Sequence, residues 1–441
     1  MLDNLKFYLS LLIARSAYMG VRLLAHSSGT SFAGKTVLKF YPKFLSHCSK
    51  YIHEGIVTVS GTNGKTTTSG LVSHILNTAK KSVIHNLKGA NMLTGVANVF
   101  ALELAPSKRF DYAVIESDEA YLHKLYDYMK SDFLIVTNLF RDQLDRYGEL
   151  ATTASYIQKA IDKNKNLKLI LNADDPLVSN FGKNRDDVVY YGFEDVEYCY
   201  EVDKSNAPTE VFNCVCGKPL EYSKRFFAQQ GHYSCSCGYK RPECKYKASV
   251  KVYSDYSEIR VEDKIFVTHL VGLYNAYNAL AAIIFALENA FSFEVIQEAL
   301  NSYKSVFGRT EKRLINGHQT LIQLIKNPTG ASEVLKTVDL NSNIVIAIND
   351  NYADGRDISW LWDSDFEQLK NAKKQVIASG IRANDMATRL KYAGIPQKKI
   401  VIEPSVKKAI ELATNGADKS ENVTILPSYT ALLKINKEKF E

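Results

Sequence analysis

Short apolar runs with β-branched residues recur along the first half of the chain. Ile56 to Ser60, Ser82 to His85, Tyr112 to Glu116, Phe133 to Asn138, Leu167 to Asn172 and Val188 to Tyr191 have strand length and strand composition. Helical patterning fills several of the gaps, first from about Lys65 to Ala79. Strands alternating with helices predict a mostly parallel sheet covered on both faces. Near Glu194 the pattern breaks. From there to about Asp263 the chain is rich in Cys, Tyr, Lys and Gly, with short β-like pieces, before a helical run from Asn275 to Ala290. A second α/β unit begins near Glu311. Its predicted strands are Ile344 to Ile348, Gln375 to Ser379, Lys399 to Ile402 and Val423 to Leu426, with helices at Asp365 to Ala372 and Asn384 to Tyr392. The expected organisation is a helical segment over 1–50, a central α/β domain over 51–310 carrying an insertion at 195–263, and a smaller doubly wound domain over 311–441.

A helix is predicted from Leu2 to Leu24. Its apolar run, Phe7 to Ala14, is too short to span a bilayer, and no small-residue cleavage site follows it. A helix packed on the domain is the first reading. One that also rests on a membrane surface through Lys6, Arg15 and Arg22 is the second, and a signal peptide the third. The length of 441 residues calls for more than one domain, and 46% hydrophobic residues are enough to build cores. A net charge of +7 is mild at this length and fits an anionic substrate or membrane surface. No long Lys/Arg run argues for nucleic acid. The cysteines crowd into one stretch, which points to metal in a reducing, cytoplasmic setting and not to disulfides.

The strongest chemical signal is Ser60-Gly61-Thr62-Asn63-Gly64-Lys65-Thr66-Thr67, between a strand and a helix. Glycines let backbone wrap a phosphate, and the helix N-terminus faces the anion. Lys65 supplies charge and the Thr66 hydroxyl a ligand for Mg²⁺. Val59 stands where the common phosphate loop has Gly, so this is a variant. Glu116 ends a predicted strand, where a carboxylate suits Mg²⁺, with Asp118 and Glu119 as neighbouring alternatives. Cys214, Cys216, Cys235 and Cys237 form two Cys-x-Cys-Gly pairs that suit structural Zn²⁺, although one residue shorter than usual, and Cys199 or Cys244 stands in reserve as a ligand. Asp350, Asp354 and Asp357 follow the strand Ile344 to Ile348, where a polar turn or a helix cap is the simplest reading.

Five segments in order resemble the Mur ligase family. They are the Gly61–Thr67 loop; Thr137-Asn138-Leu-Phe-Arg-Asp142-Gln143-Leu-Asp145-Arg-Tyr-Gly148; Leu171-Asn172-Ala-Asp174-Asp175-Pro176; Gly272-Leu-Tyr-Asn275-Ala-Tyr-Asn278; and Gly308-Arg309-Thr-Glu311. The resemblance implies a central ATP-binding domain with a mostly parallel sheet, here with an inserted zinc ribbon, and a Rossmann-like C-terminal α/β domain. It implies ATP and Mg²⁺ bound by Gly61, Thr62, Asn63, Gly64, Lys65, Thr66 and Thr67, with Asn275, Asn278, Arg309 and Asn327 completing the nucleotide site. Amino-acid-adding members carry a His where this chain has Gln143, and an Asp-Tyr-Ala-His-Asn-Pro turn where it has Leu324-Ile-Lys326-Asn327-Pro328. Only a short segment precedes the loop, so the usual sugar-nucleotide domain is expected to be absent.

Within the family the combination is similar to the synthetase subunits of lipid II isoglutaminyl synthase. That implies activation of the α-carboxylate of D-glutamate in the lipid II stem as an acyl phosphate, then amidation to D-isoglutamine. Ammonia would come from a GatD-like glutaminase in a heterodimer, and Asp357 would complete that partner's catalytic group. Lys65 and Glu116 are the expected catalytic residues on this chain. The enzyme would be cytoplasmic, working on lipid II at the inner membrane face. A Mur-type ligase that adds an amino acid to a peptide or folate-like acceptor is one alternative. A zinc-ribbon ATPase binding nucleic acid, or serving as a regulatory scaffold, is another.

Overall fold

The computed structural model describes residues 2–24, 32–86, 90–141, 150–200, 211–304, 309–415, 422–438 and 440. The first sheet is built from β1 (Ile52–Ser60), β2 (Val83–His85), β3 (Phe110–Glu116), β4 (Phe133–Val136), β5 (Lys168–Asn172) and β6 (Val188–Tyr191). All neighbours are parallel, in the order β2-β3-β1-β4-β5-β6. Successive side chains on a strand face opposite ways, and the two faces build separate cores. Ile56, Ala113, Ile115, Leu134, Val136, Leu169 and Leu171 pack with the N-terminal helices. Val57, Val59, Val114, Ile135 and Ile170 pack with the helices Lys65–Thr78 and Leu273–Glu288.

The N-terminal helix Leu2–Leu24 is held by Phe7, whose ring stacks 4.1 Å from His47 and 5.3 Å from Phe44. Arg15 donates to the carbonyls of Ala101, Leu102 and Leu104, groups left over at the end of the helix Leu93–Glu103. That guanidinium serves as a cap for its neighbour. Among the described residues no helix is long and apolar enough to cross a membrane.

The stretch after Glu194 resolves into two structures. β7 (Asp195–Tyr198), β10 (Ala248–Val252), β11 (Ser257–Val261) and β12 (Lys264–Thr268) form a sheet in the order β12-β11-β10-β7. Its inward residues Val250, Val252, Ile259 and Phe266 join the same core as the helix Leu273–Glu288. The cysteines belong to a separate two-stranded hairpin, β8 (Glu221–Phe227) and β9 (Gln230–Ser234).

The third sheet has β13 (Arg309–Ile315), β14 (His318–Gln323), β15 (Asn343–Ala347), β16 (Val376–Ser379), β17 (Ile400–Ile402) and β18 (Val423–Pro427), ordered β13-β14-β18-β15-β16-β17. It is parallel except for the edge hairpin β13–β14. Its two faces again build two cores, with Ile344, Ile346 and Ala378 on one side and Val345, Ala347 and Ile377 on the other. The helix expected over Asp365 to Ala372 is a short 3₁₀ turn, Phe366–Leu369. Phe366 and Leu369, three apart, are both buried as such a turn permits. The Asp365 carboxylate is occupied by the Gln368 amide, and Glu367 by Arg389.

Candidate functional site

Three strands of the first sheet, β3, β1 and β4, deliver the candidate groups at their carboxyl ends, where open α/β sheets gather ligands. β1 runs straight into the Gly61–Thr67 loop. Gly61 and Gly64 have φ of +121° and +86°. A side chain would be strained at either, and it would also collide: a Cβ on Gly61 would lie 2.4 Å from Thr137 Oγ1, and one on Gly64 2.0 Å from Asn278 Oδ1. The segment after β4 pins the loop. Thr62 N donates to Asn138 O (2.9 Å), Asn63 N to Asn138 Oδ1 (2.9 Å), and Thr137 Oγ1 and Asn138 Nδ2 to Asn63 O (2.7 and 3.1 Å). The Asn172–Pro176 turn pins that segment in turn, since Asn172 Nδ2 donates to Thr137 O and Leu139 N to Asp175 Oδ2. Asp174 and Asp175 are fully buried. Burial pushes the Asp175 carboxyl up to about 6, against the pull of N–H donors from Leu139, Val178 and Leu177. This turn is scaffolding for the loop.

Lys65 is buried and folds back over its own loop. Its Nζ donates to Gly61 O (2.5 Å), Thr62 O (3.3 Å) and Glu119 Oε2 (3.0 Å). Burial pushes the Glu119 carboxyl up, while Lys65 holds it down. Glu116, at the end of β3, is also buried. Asn91 Nδ2 approaches its Oε1 at 3.5 Å, and Oε2 has no partner among the described residues. A buried carboxylate oxygen without a donor suits a hard cation with oxygen ligands, and Thr66, the other expected ligand, is half-buried in the first turn of the helix Lys65–Thr78. The acid that meets Lys65 is therefore Glu119, and Glu116 is the one left open.

A cleft of about 770 Å³, open solvent included, runs beside the loop. Asn63, Gly64 and Thr67 form its floor, Asn275 and Asn278 one side, and Lys326, Thr329 and Glu333 from the third-sheet unit another. Asn278 donates to Asn275 Oδ1 (3.2 Å) and its own oxygen lies 3.4 Å from Thr68 Oγ1, so it braces the loop helix while lining the cleft. Asn327 caps the helix Pro328–Leu335 through Gly330 N and pairs with the Asn63 amide. Arg309 lies in β13, but its side chain, Gly308 and the Asp142–Gly148 segment lie outside the described residues. The cleft residues Phe227, Tyr274 and Glu333 were not legible as site residues, since each reads as an ordinary core or surface position.

Cys214, Cys216, Cys235 and Cys237 bring their sulfurs within 4.8 Å of one another. The closest pairs are 3.7 Å (Cys214–Cys237) and 3.6 Å (Cys216–Cys235). Four thiolates at 2.3 Å around a tetrahedral ion stand about 3.8 Å apart, so the set fits. The two turns match: Gly217 N donates to Cys214 O and Gly238 N to Cys235 O, with φ of +86° and +91°. Cys199 and Cys244 are outside this group; Arg241 Nη2 lies 3.4 Å from the Cys244 sulfur.

Asp350 pairs with Arg382 (2.7 Å), and Asp354 accepts from Asn351 N and from Thr430 N. These two tie the loop after β15. Asp357 is half-buried and accepts only from Ser359 N (2.8 Å) among the described residues. The Tyr429 hydroxyl is pushed up by burial and by the charges of Asp354 and Glu116.

Comparison with known proteins agrees with this arrangement. Residues 59–286 match the Mur ligase middle domain and residues 324–432 the MurT ligase C-terminal domain. The lipid II isoglutaminyl synthase (glutamine-hydrolyzing) subunit MurT of Staphylococcus aureus (strain COL) is 35% identical, covering 92% of this chain and 91% of its own. The subunit of the same name from Streptococcus pneumoniae (strain ATCC BAA-255 / R6) is 34% identical, covering 98% and 96%. A pseudomurein peptide ligase type C from Methanothermus fervidus superposes with a TM-score of 0.67 at 25% identity, over 91% of this chain and 84% of that one. MurF from Acinetobacter baumannii shares the fold with a TM-score of 0.62 at 15% identity, over 91% and 80%. The chain belongs to the Mur ligases, a family of ATP-dependent ligases, and within it to the MurT subunits of lipid II isoglutaminyl synthase.

Proposed function

We propose that this chain amidates the α-carboxylate of D-glutamate in the lipid II stem peptide, with ATP as the activating reagent and ammonia from a GatD-like glutaminase partner. The observation that carries the reading is the buried Lys65, folded over a glycine loop beside a cleft, in a chain of this family. A carboxylate oxygen attacks the γ-phosphorus and ADP leaves. Ammonia then attacks the acyl carbon, phosphate departs with the C–O bond electrons, and the nitrogen loses a proton to give the amide. Lys65 leaves its loop carbonyls to neutralise the transferring phosphoryl group. The loop N–H groups hold the phosphates, and Asn275, Asn278, Arg309 and Asn327 complete the nucleotide site. Thr66 and Glu116 would hold Mg²⁺, which would supply further positive charge for the phosphates.

Zinc is the ion assigned to Cys214, Cys216, Cys235 and Cys237, because four thiolates at this spacing suit a closed tetrahedral site. Asp357 is assigned to the partner: it stands on the loop after β15 with one oxygen engaged, and a carboxylate there can orient an imidazole in the glutaminase. The substrate is lipid-anchored, so the enzyme works at the inner membrane face. Leu5, Leu9 and Leu12 of the first helix are exposed on one side, with Met19 beyond them, and Lys6 beside them is exposed too.

The test is to purify the chain with its glutaminase and supply lipid II, ATP and glutamine. Expected are ADP and phosphate in step with a product about one dalton lighter, since –NH₂ replaces –OH. ATP turnover with no change in acceptor mass overturns the reading, and a product heavier by an amino-acid residue supports ligation in its place.

A further inference from the structure

The cysteine hairpin reaches the cleft. Its two metal-binding turns lie at its root, next to Glu221 and Ser234, which pair across the strands. Phe227 and Gln230 pair at the opposite end. Four residue steps along β9 separate the ends, roughly 13 Å, and β8 takes up its extra residues in two irregularities of register. Phe227 lines the nucleotide cleft. Its ring lies 6.0 Å from Phe140 and 5.7 Å from Tyr277, both cleft residues. Ala228 turns the chain at φ +46°, and Gln229 Nε2 donates to Leu139 O (2.7 Å) in the segment that pins the phosphate loop. Between root and tip, Arg241 Nε and Tyr277 OH hold the two oxygens of the buried Asp174 (2.6 and 2.7 Å), and Gly231 N donates to Asp174 O.

We infer that the hairpin tip, through Phe227 and Gln229, is a working wall of the nucleotide site, and that metal at its root is thereby coupled to nucleotide binding. A two-stranded hairpin is marginal by itself. β8 and β9 pair with no third strand among the described residues. The four cysteines tie both strand roots, so the register that presents Phe227 to the cleft depends on them. An apolar ring against the base side of a nucleotide and a fixed Leu139 carbonyl behind the loop are what the tip contributes. Coupling of this kind is reciprocal: metal strengthens nucleotide binding, and nucleotide strengthens metal binding by the same factor. The inference rests on the cleft being the ATP site.

The test uses the complex with its glutaminase. Zinc release from the wild-type complex to a chromogenic chelator is followed with and without ATP, and affinity for a fluorescent ATP analogue is measured on the same preparation. ATP is expected to slow zinc release. Phe227→Ala is expected to weaken the analogue by about tenfold and raise the KM for ATP while that for lipid II holds. It should keep its zinc but lose the ATP effect on zinc release, and Phe227→Tyr should restore both. Equal zinc release with and without bound nucleotide overturns the coupling with no variant needed. Unchanged analogue affinity in folded Phe227→Ala overturns the role of the wall. A wild-type complex that binds no ATP analogue removes the ATP-site reading itself and the inference with it.

Discussion

The side-chain amides of Asn63 and Asn327 pair in both directions, 3.3 Å from Asn63 Nδ2 to Asn327 Oδ1 and 2.9 Å from Asn327 Nδ2 to Asn63 Oδ1. One belongs to the phosphate loop and the other caps the helix Pro328–Leu335 of the third-sheet unit. If the loop holds ATP as proposed, this pair makes nucleotide affinity sensitive to the position of that unit. Asn327→Ala removes both cap and clasp, and should cost about 1 kcal/mol of stability and weaken ATP. Asn327→Asp keeps a capping oxygen but sets a negative charge against the loop. Its Tm should stay near wild type while its KM for ATP rises. Wild-type ATP kinetics in both variants would show that the clasp has no part in binding.

Lys65 and Glu119 form the second revealing pair, buried at 3.0 Å. Lys65→Met should lower ATP-dependent turnover by about a hundred- to a thousandfold, the usual scale for a lost transition-state donor. It also strands Glu119. Burial already pushes that carboxyl up, and the variant loses the cation that opposes the push. Folded protein then keeps a proton that the unfolded chain releases. The Tm of Lys65→Met should therefore fall as pH rises above the ordinary carboxylate range, more steeply than that of wild type. Calorimetry across pH 4 to 8 checks the slope.

The first sheet was readable because its strands are short β-branched runs separated by helices, and the phosphate loop because glycine spacing has a steric reason. The edge hairpin β13–β14 was not. Arg309-Thr-Glu-Lys-Arg carries charges where the parallel strands carry valine and isoleucine, as an edge allows. The four-stranded sheet around Val250 and Ile259 was hidden inside the cysteine-rich stretch, since its strands are half polar. The four cysteines were legible together, but the reach of Phe227 into the cleft depends on hairpin length and docking. Glu116 was preferred to Glu119 for its place at the strand end, but the sequence could not tell which of them the folded Lys65 meets.

Asp357 gives a prediction that separates two activities. If it orients the partner's imidazole, Asp357→Asn should abolish amidation driven by glutamine. It should spare amidation driven by added ammonium salt at alkaline pH, where free ammonia is abundant. ATP affinity should not move. Equal loss of both activities would make the residue part of the loop after β15, along with Asp350 and Asp354, and nothing more.

His85 should mark the acid limit of the fold. Burial pushes it down to about 4, and its Nε2 has no partner among the described residues. The unfolded chain takes up a proton below about 6.5, while the folded protein holds out until about 4. Unfolding is thus favoured as pH falls through that window, by up to about 3 kcal/mol. His85→Gln removes the titration. Its Tm should change less than that of wild type between pH 6.5 and 4, and parallel curves would rule the residue out as the source.

The first helix offers a prediction about where the enzyme works. Leu5 and Leu12 are 66% and 67% exposed, and Leu9 is 47% exposed. The spacings of four and three place them on one face, while Phe7, Leu11 and Ala14 face the core. Leu9→Glu with Leu12→Glu therefore leaves the packed side untouched, and stability should stay within about 0.5 kcal/mol. If this face dips into the bilayer, each substitution removes apolar burial and adds charge that anionic headgroups repel. Sedimentation with vesicles containing an anionic lipid should fall by about tenfold or more. Turnover of lipid II in those vesicles should fall with it, while turnover of a water-soluble short-chain analogue stays level. Loss on both substrates would instead place the leucines in folding or in contact with the acceptor peptide, and unchanged sedimentation would move the membrane contact to another surface.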